Sequence, residues 1–219
     1  MESVSLAPGL LLAAPALGDP NFAHSVVLLG HHDAEGAFGW VINGRPLVPA
    51  RQLLVEAELT VPGVTLEGAC FESLTRIGGP VLPGSAWLLF EAPPGASGAP
   101  GQTGQTGLAG EISQIGQAGQ AEEPGVHHLG DHFWITGNRD LIEALARGQG
   151  PHTFRLFLGY AGWGPQQLET EIQAGAWLPA PFDGALLFGH EPDELWDVAY
   201  RRAVGAPPAA FTSTSRGSA

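Results

Sequence analysis

The chain has 219 residues, is 44% hydrophobic, and carries a formal net charge of −13, with 22 acidic residues against nine basic ones. This length suffices for one domain with a full core, and the acidity disfavours general nucleic-acid binding because it repels a phosphate backbone. The basic residues are all arginine, and the one cysteine, Cys70, excludes an intrachain disulfide and suits a reducing cytosol.

The apolar run Leu6 to Leu17 lacks the basic flank of a secretory signal, having Glu2 instead, and Asp19-Pro20 ends it. It reads as a first buried strand, over Leu10 to Ala14. No run approaches the ~20 apolar residues that span a bilayer, so the expected location is cytoplasmic. Ser25 to Gly30 is a second continuously apolar strand, as in strands covered on both faces. His31 to Gly36 reads as a polar loop, and Ala37 to Ile42 as the strand that completes a hairpin.

Pro49 opens a helix with Leu53, Leu54 and Leu59 on its buried side. Ser73 to Ile77 and Ala86 to Phe90 read as strands flanking Gly78-Gly79-Pro80. From Pro93 to Gly125 the composition shifts to Gly, Gln, Ala and Pro. Such a segment buries too little apolar surface to offset its ordering entropy, and is expected to be a flexible insertion within one domain.

Phe133 to Thr136 is a further strand. Asn138 N-caps a helix over Leu141 to Ala146 that Gly148 ends. Thr153 to Leu158 alternates as a half-buried strand and runs into Gly159-Tyr160-Ala161-Gly162-Trp163-Gly164. Pro165 then suits the first turn of a helix carrying Leu168 and Ile172, with Gly175 at its end. Leu186 to Phe188 reads as a short strand, and Pro192 to Val204 as the last helix, with Gly205 at the C′ position. The tail over 206–219 reads as disordered. The whole predicts an α+β fold, one domain over residues 7–205 around a mixed sheet.

Two histidine clusters raise a metal hypothesis: His31, His32, Asp33, and His127, His128, Asp131, His132. Neither has a recognised ligand spacing, and neighbours on a strand point to opposite faces, so they read as ordinary histidines and no metal is expected. No nucleophile elbow is present, and Cys70 sits in an apolar setting. Gly78-Gly79-Pro80-Val81 reads as a tight turn or an anion nest. Arg45, after Asn43-Gly44, suits either a ligand anion or a turn-fixing carboxylate such as Glu35 or Glu169. No nucleotide-binding motif occurs, and no cofactor is expected.

Several long motifs occur in order: Pro8 to Asn43, Gly78 to Val81, Arg139 to Pro151 and Gly159 to Ile172, with Ala176 to Leu178 and the last helix also fitting. Together they resemble the AlgH/YqgE family over roughly Ala7 to Gly205, apart from the Gly/Gln-rich insertion. The chain departs from the family pattern at Gly44, which splits an Asn-Arg-Pro turn, at Gly175 in place of Asn, and in the insertion itself. The resemblance implies an α+β fold with a mixed, partly barrel-like sheet flanked by helices. It carries no established reaction; the family name comes from a proposed regulatory role in bacterial alginate production.

The resulting expectation is a cytosolic, non-enzymatic regulatory or binding protein acting through a protein or small-ligand contact. Its candidate surface comprises His32, Glu35, Asn43, Arg45, Gly79, Tyr160, Trp163 and Gln167, the polar and aromatic residues of the Gly-rich turns. An enzyme using His32 with Glu35 or Glu169 as acid and base is the alternative. Direct DNA binding as a transcriptional regulator ranks third, since the chain is acidic and shows no helix-turn-helix.

Overall fold

A computed structural model describes residues 5–91, 125–130 and 132–212. Residues 1–4, 92–124, 131 and 213–219 lie outside the described residues, and with them all of the insertion expected over 93–125 except Gly125. The chain forms two compact units, Met1–Arg45 with Ile77–Pro83 and Gly159–Ala219, and Pro46–Arg76 with Gly84–Leu158. Both mix antiparallel strands with helices, as the α+β expectation requires.

In the first unit, strand β1 (Gly9–Ala13) lies between β2 (Val26–Asp33) and β10 (Trp177–Pro181), antiparallel to both. The β1 run and the first half of β2 are buried throughout, which is why their sequences are continuously apolar rather than alternating. Strand β3 (Gly36–Val41) returns antiparallel to β2 and pairs on its other side with the last residues of β9 (Phe154–Trp163), Ala37 opposite Trp163. The β10 strand reads WLPAP and escapes sequence reasoning because two prolines argue against a strand; they are tolerated because, among the described residues, β10 pairs with β1 alone. Helices α4 (Gln167–Gln173), α5 (Ala185–Phe188), α6 (Leu195–Val204) and α7 (Ala209–Thr212) complete the unit. Its core gathers Leu11, Val27, Leu29, Val41, Ala161, Trp163, Leu168 and Trp177.

In the second unit, β4 (Pro46–Pro49) pairs with β5 (Leu74–Ile77). The distal part of β6 (Val81–Glu91) pairs with β8 (Phe133–Thr136), which pairs in turn with β7 (Val126–Leu129). Helix α1 (Ala50–Glu56), the short α2 (Ala69–Glu72) and α3 (Arg139–Ala146) pack with these strands. Asn138 caps α3 as expected, its Oδ1 accepting from the Leu141 N–H at 3.2 Å. The core here is Leu54, Leu88, Phe90, Leu141, Leu145, Phe154 and Leu156.

Three local expectations are corrected. His31 to Gly36 is not a loop: β2 runs through Asp33, and Ala34-Glu35 alone make the turn, with Asp33 Oδ1 accepting from the Glu35 N–H. Leu186 to Phe188 is helical rather than extended, because Asp183 Oδ1 accepts from the Ala185 N–H and sets a helical turn where the apolar run alone is ambiguous. Pro165 is not the first helical residue; Gln166, at φ +60°, turns the chain and α4 begins at Gln167. Among the described residues no helix is long and apolar enough to cross a membrane.

Candidate functional site

Strand β2 sets the geometry. Leu29 lies opposite Gly39 and His31 opposite Phe38, so two β2 residues face one on β3 and Gly30 is a bulge. Val27 and Leu29 face the core; without the bulge His31 would follow them inward. With it, His31 is exposed and His32 is buried. A Cβ at Gly30 would lie 2.5 Å from the Trp40 ring, so the bulge needs glycine.

His32 is fully engaged inside the fold. Its Nδ1 accepts from the Leu6 N–H at 3.1 Å, which leaves the ring proton on Nε2, 3.0 Å from Glu169 Oε1 on α4. The His32–Glu169 pair anticipated as acid and base therefore exists, but the His32 side chain is only 3% exposed and neither ring nitrogen is open. Glu169 is held below the usual carboxylate range, chiefly by its own backbone N–H and with His32 adding to it, against an opposing desolvation. Glu35, the other anticipated partner, is on the exposed turn, where its N–H bonds Asp33.

The opposite face of the hairpin bears an open dish of about 360 Å³, lined by His31, Asp33, Glu35, Phe38, Val81 and Tyr160 together with the backbone around Gly162 and Trp163. His31 stacks on Phe38, with ring centroids 5.3 Å apart and planes 18° apart, and Tyr160 meets Phe38 edge-on at 6.3 Å. His31 Nε2 lies 2.9 Å from Asp33 Oδ2. The Asp33 carboxyl is held low chiefly by the Glu35 N–H, with His31 adding to it. The dish thus offers aromatic surface beside two carboxylates.

Tyr160 and Trp163 lie on opposite faces of β9. Tyr160 faces the dish, whereas Trp163 is buried and stacks on Phe22 at 6.3 Å. Glu171 on α4 accepts from Trp163 Nε1 at 2.9 Å and Trp177 Nε1 at 2.8 Å, and from Gln167 Nε2 at 2.9 Å. Gln167 also accepts from the Gly164 N–H at 3.1 Å. Trp163 and Gln167 therefore secure the corner to α4.

Asn43, Arg45 and Gly79 line a second, more enclosed cavity of about 260 Å³, shared with His24 and Ser25. Asn43 Oδ1 accepts from the Val26 N–H at 2.7 Å and its Nδ2 donates to the His24 carbonyl at 2.9 Å, gripping the chain on both sides of Ser25. Gly44, the residue that departs from the family pattern, lies so close to Ile77 that a Cβ would sit 2.0 Å from its carbonyl oxygen. Arg45 then accepts from the Ile77 N–H at 3.0 Å through its own carbonyl, which fixes its backbone.

The eight residues singled out in the sequence thus fall into separate groups: Glu35 and Tyr160 at the dish, Asn43, Arg45 and Gly79 at the second cavity, His32 beneath the sheet, and Trp163 with Gln167 in the corner. Sequence reasoning missed Phe38 and Glu171. Phe38 had a signal, its two-residue spacing from Trp40; Glu171 had none, because its indole partners come from two separate strands. Among the described residues no three of His, Cys, Asp and Glu are grouped to hold a metal.

An antiparallel sheet with a bulged hairpin, a Gly-rich strand-to-helix corner and a clamp on the corner's tryptophan defines an α+β class of protein. The chain belongs to the AlgH-like family, which it matches over residues 10–208. It is 36% identical over 206 residues to a UPF0301 protein of Anaeromyxobacter sp. (strain K), covering 94% of this chain and 91% of that one. It is 34% identical to a UPF0301 protein of Myxococcus xanthus, covering 94% of each. The solution structure of the AlgH protein from Pseudomonas aeruginosa matches over all of both chains, with a TM-score of 0.63 and 27% identity. A crystal structure of a Corynebacterium diphtheriae protein, at 22% identity, shares the fold with a TM-score of 0.63.

Proposed function

We propose that this protein is a non-enzymatic binding protein whose contact surface is the dish formed by the β2–β3 turn and Tyr160. The observation that carries the reading is the juxtaposition there of stacked aromatic rings with Asp33 and Glu35 on an open face. Such a surface suits a protein partner presenting an arginine or lysine, whose cation gains from both the ring faces and the carboxylates. A regulatory role would follow from occupancy of this surface. The single cysteine and the acidic composition fit a cytoplasmic setting. The 3.0 Å contact of His32 with Glu169 favours the acid–base alternative, but a general base must reach the proton it takes, and both nitrogens of His32 are occupied within the fold.

The test is capture of partners from a native lysate with the intact protein and with a Glu35→Arg/Tyr160→Ala variant of unchanged melting temperature. The reading expects a partner retained by the first and lost by the second. Identical capture by both would refute it.

A further inference from the structure

The second cavity has no part in that surface; the two share no lining residue. Three observations converge on it. First, Ser25 is 4% exposed, and its Oγ has no hydrogen-bond partner among the described residues. A buried hydroxyl left without a partner is costly, and native folds rarely keep one without a reason.

Second, among the described residues the Arg45 side chain has no acidic partner, in a chain where acids outnumber bases 22 to nine. Arg51 is paired with Glu72, Arg139 and Arg147 with Glu143, and Arg202 with Asp183. A guanidinium left unpaired amid such an acid surplus is available for another anion.

Third, the frame is pre-set. His24 holds a φ of +57°, a conformation that a residue with a side chain rarely adopts, and its ring packs on Trp196 with centroids 4.3 Å apart. Asn43 fixes the backbone on either side of Ser25, and the Ile77 N–H fixes that of Arg45. The backbone of the site therefore loses little freedom on binding.

We propose that this cavity binds a small oxyanion, the phosphate or carboxylate group of a small molecule, with Arg45 supplying the charge, Ser25 Oγ a donor, and the His24 imidazole a third contact. A hydroxyl and a guanidinium both donate, which matches an acceptor-only ligand.

The experiment is an NMR titration of the whole chain with inorganic phosphate in one arm and acetate in the other, at constant ionic strength. Saturable shifts of the Ser25 amide and His24 ring in either arm are expected, and the arm that binds tighter names the ligand class. Arg45→Gln should weaken binding about tenfold or more, as for the loss of a charge-assisted bond. Ser25→Ala should also weaken it without lowering the melting temperature, since the hydroxyl makes no bond within the fold. A merely structural serine would move stability and leave binding alone. No saturable shift in either arm, which would leave the cavity to water, or undiminished binding by folded Arg45→Gln, overturns the proposal.

Discussion

Two indole N–H groups and a side-chain amide converge on the carboxylate of Glu171, and one of those indoles belongs to the most conspicuous aromatic of the sequence. Trp163 on a glycine-flanked corner invites a reading as a contact residue, yet the chemistry of its N–H accounts for its position: a buried indole requires an acceptor, and Glu171 is one helical turn from Gln167, which bonds the same carboxylate. Glu171→Ala leaves two buried indole donors without a partner, at about 1–3 kcal/mol each on a non-additive scale. The expected outcome is a loss of about 3 kcal/mol in urea-unfolding free energy, most of it recovered in Glu171→Gln, which keeps an acceptor oxygen. A variant as stable as the parent would show that the indoles find water instead.

At the level of elements, the glycine motifs are paired rather than independent. A Cβ at Gly79 would lie 2.2 Å from the Tyr160 carbonyl carbon, and one at Gly159 would lie 2.5 Å from the Gly79 carbonyl oxygen. Gly79 also has a φ of +154°, so backbone conformation and close approach both exclude a side chain. Gly79→Ala is expected to cost more than 2 kcal/mol, on the order of other strained and overpacked sites, and to shift the amide resonances of Tyr160 and Ala161. This pairing shows where sequence reasoning stops. The buried strands, the Asn138 cap and the glycine corner are legible, because apolar runs and turn chemistry act locally. That Gly79 exists for Tyr160 is not legible, since the contact joins segments about eighty residues apart in the chain. The β10 strand and the α5 turn are hidden for a related reason: a neighbour, β1 in one case and the Asp183 side chain in the other, decides against the local signal. Of the site, the residue types at the dish are readable from the turn sequence, while the parity that separates His31 from His32 is set by cross-strand register.

At the scale of the molecule, three carboxylates among the described residues are held below their ordinary range: Asp33 by the Glu35 N–H, Glu143 by Arg139, and Glu169 by its own backbone N–H. Each binds its proton less readily folded than unfolded, so each contributes stability that is present above the usual carboxylate value of about 4. That contribution is lost as pH falls through the lowered folded values. The urea midpoint should therefore fall as the pH drops below about 4, and the fall should be smaller in Glu169→Gln, which has no proton to take up there. An equal fall in parent and variant would remove Glu169 from the account. The bulge at Gly30 carries a further consequence. Strand β2 is an odd-even counter whose count slips by one before its two histidines, so one residue's worth of chain length assigns one imidazole to the interior and its neighbour to the surface. Through that slip the inner clamp on α4 and the outer aromatic dish share a single phase, and a one-residue insertion or deletion in β2 would exchange both assignments at once.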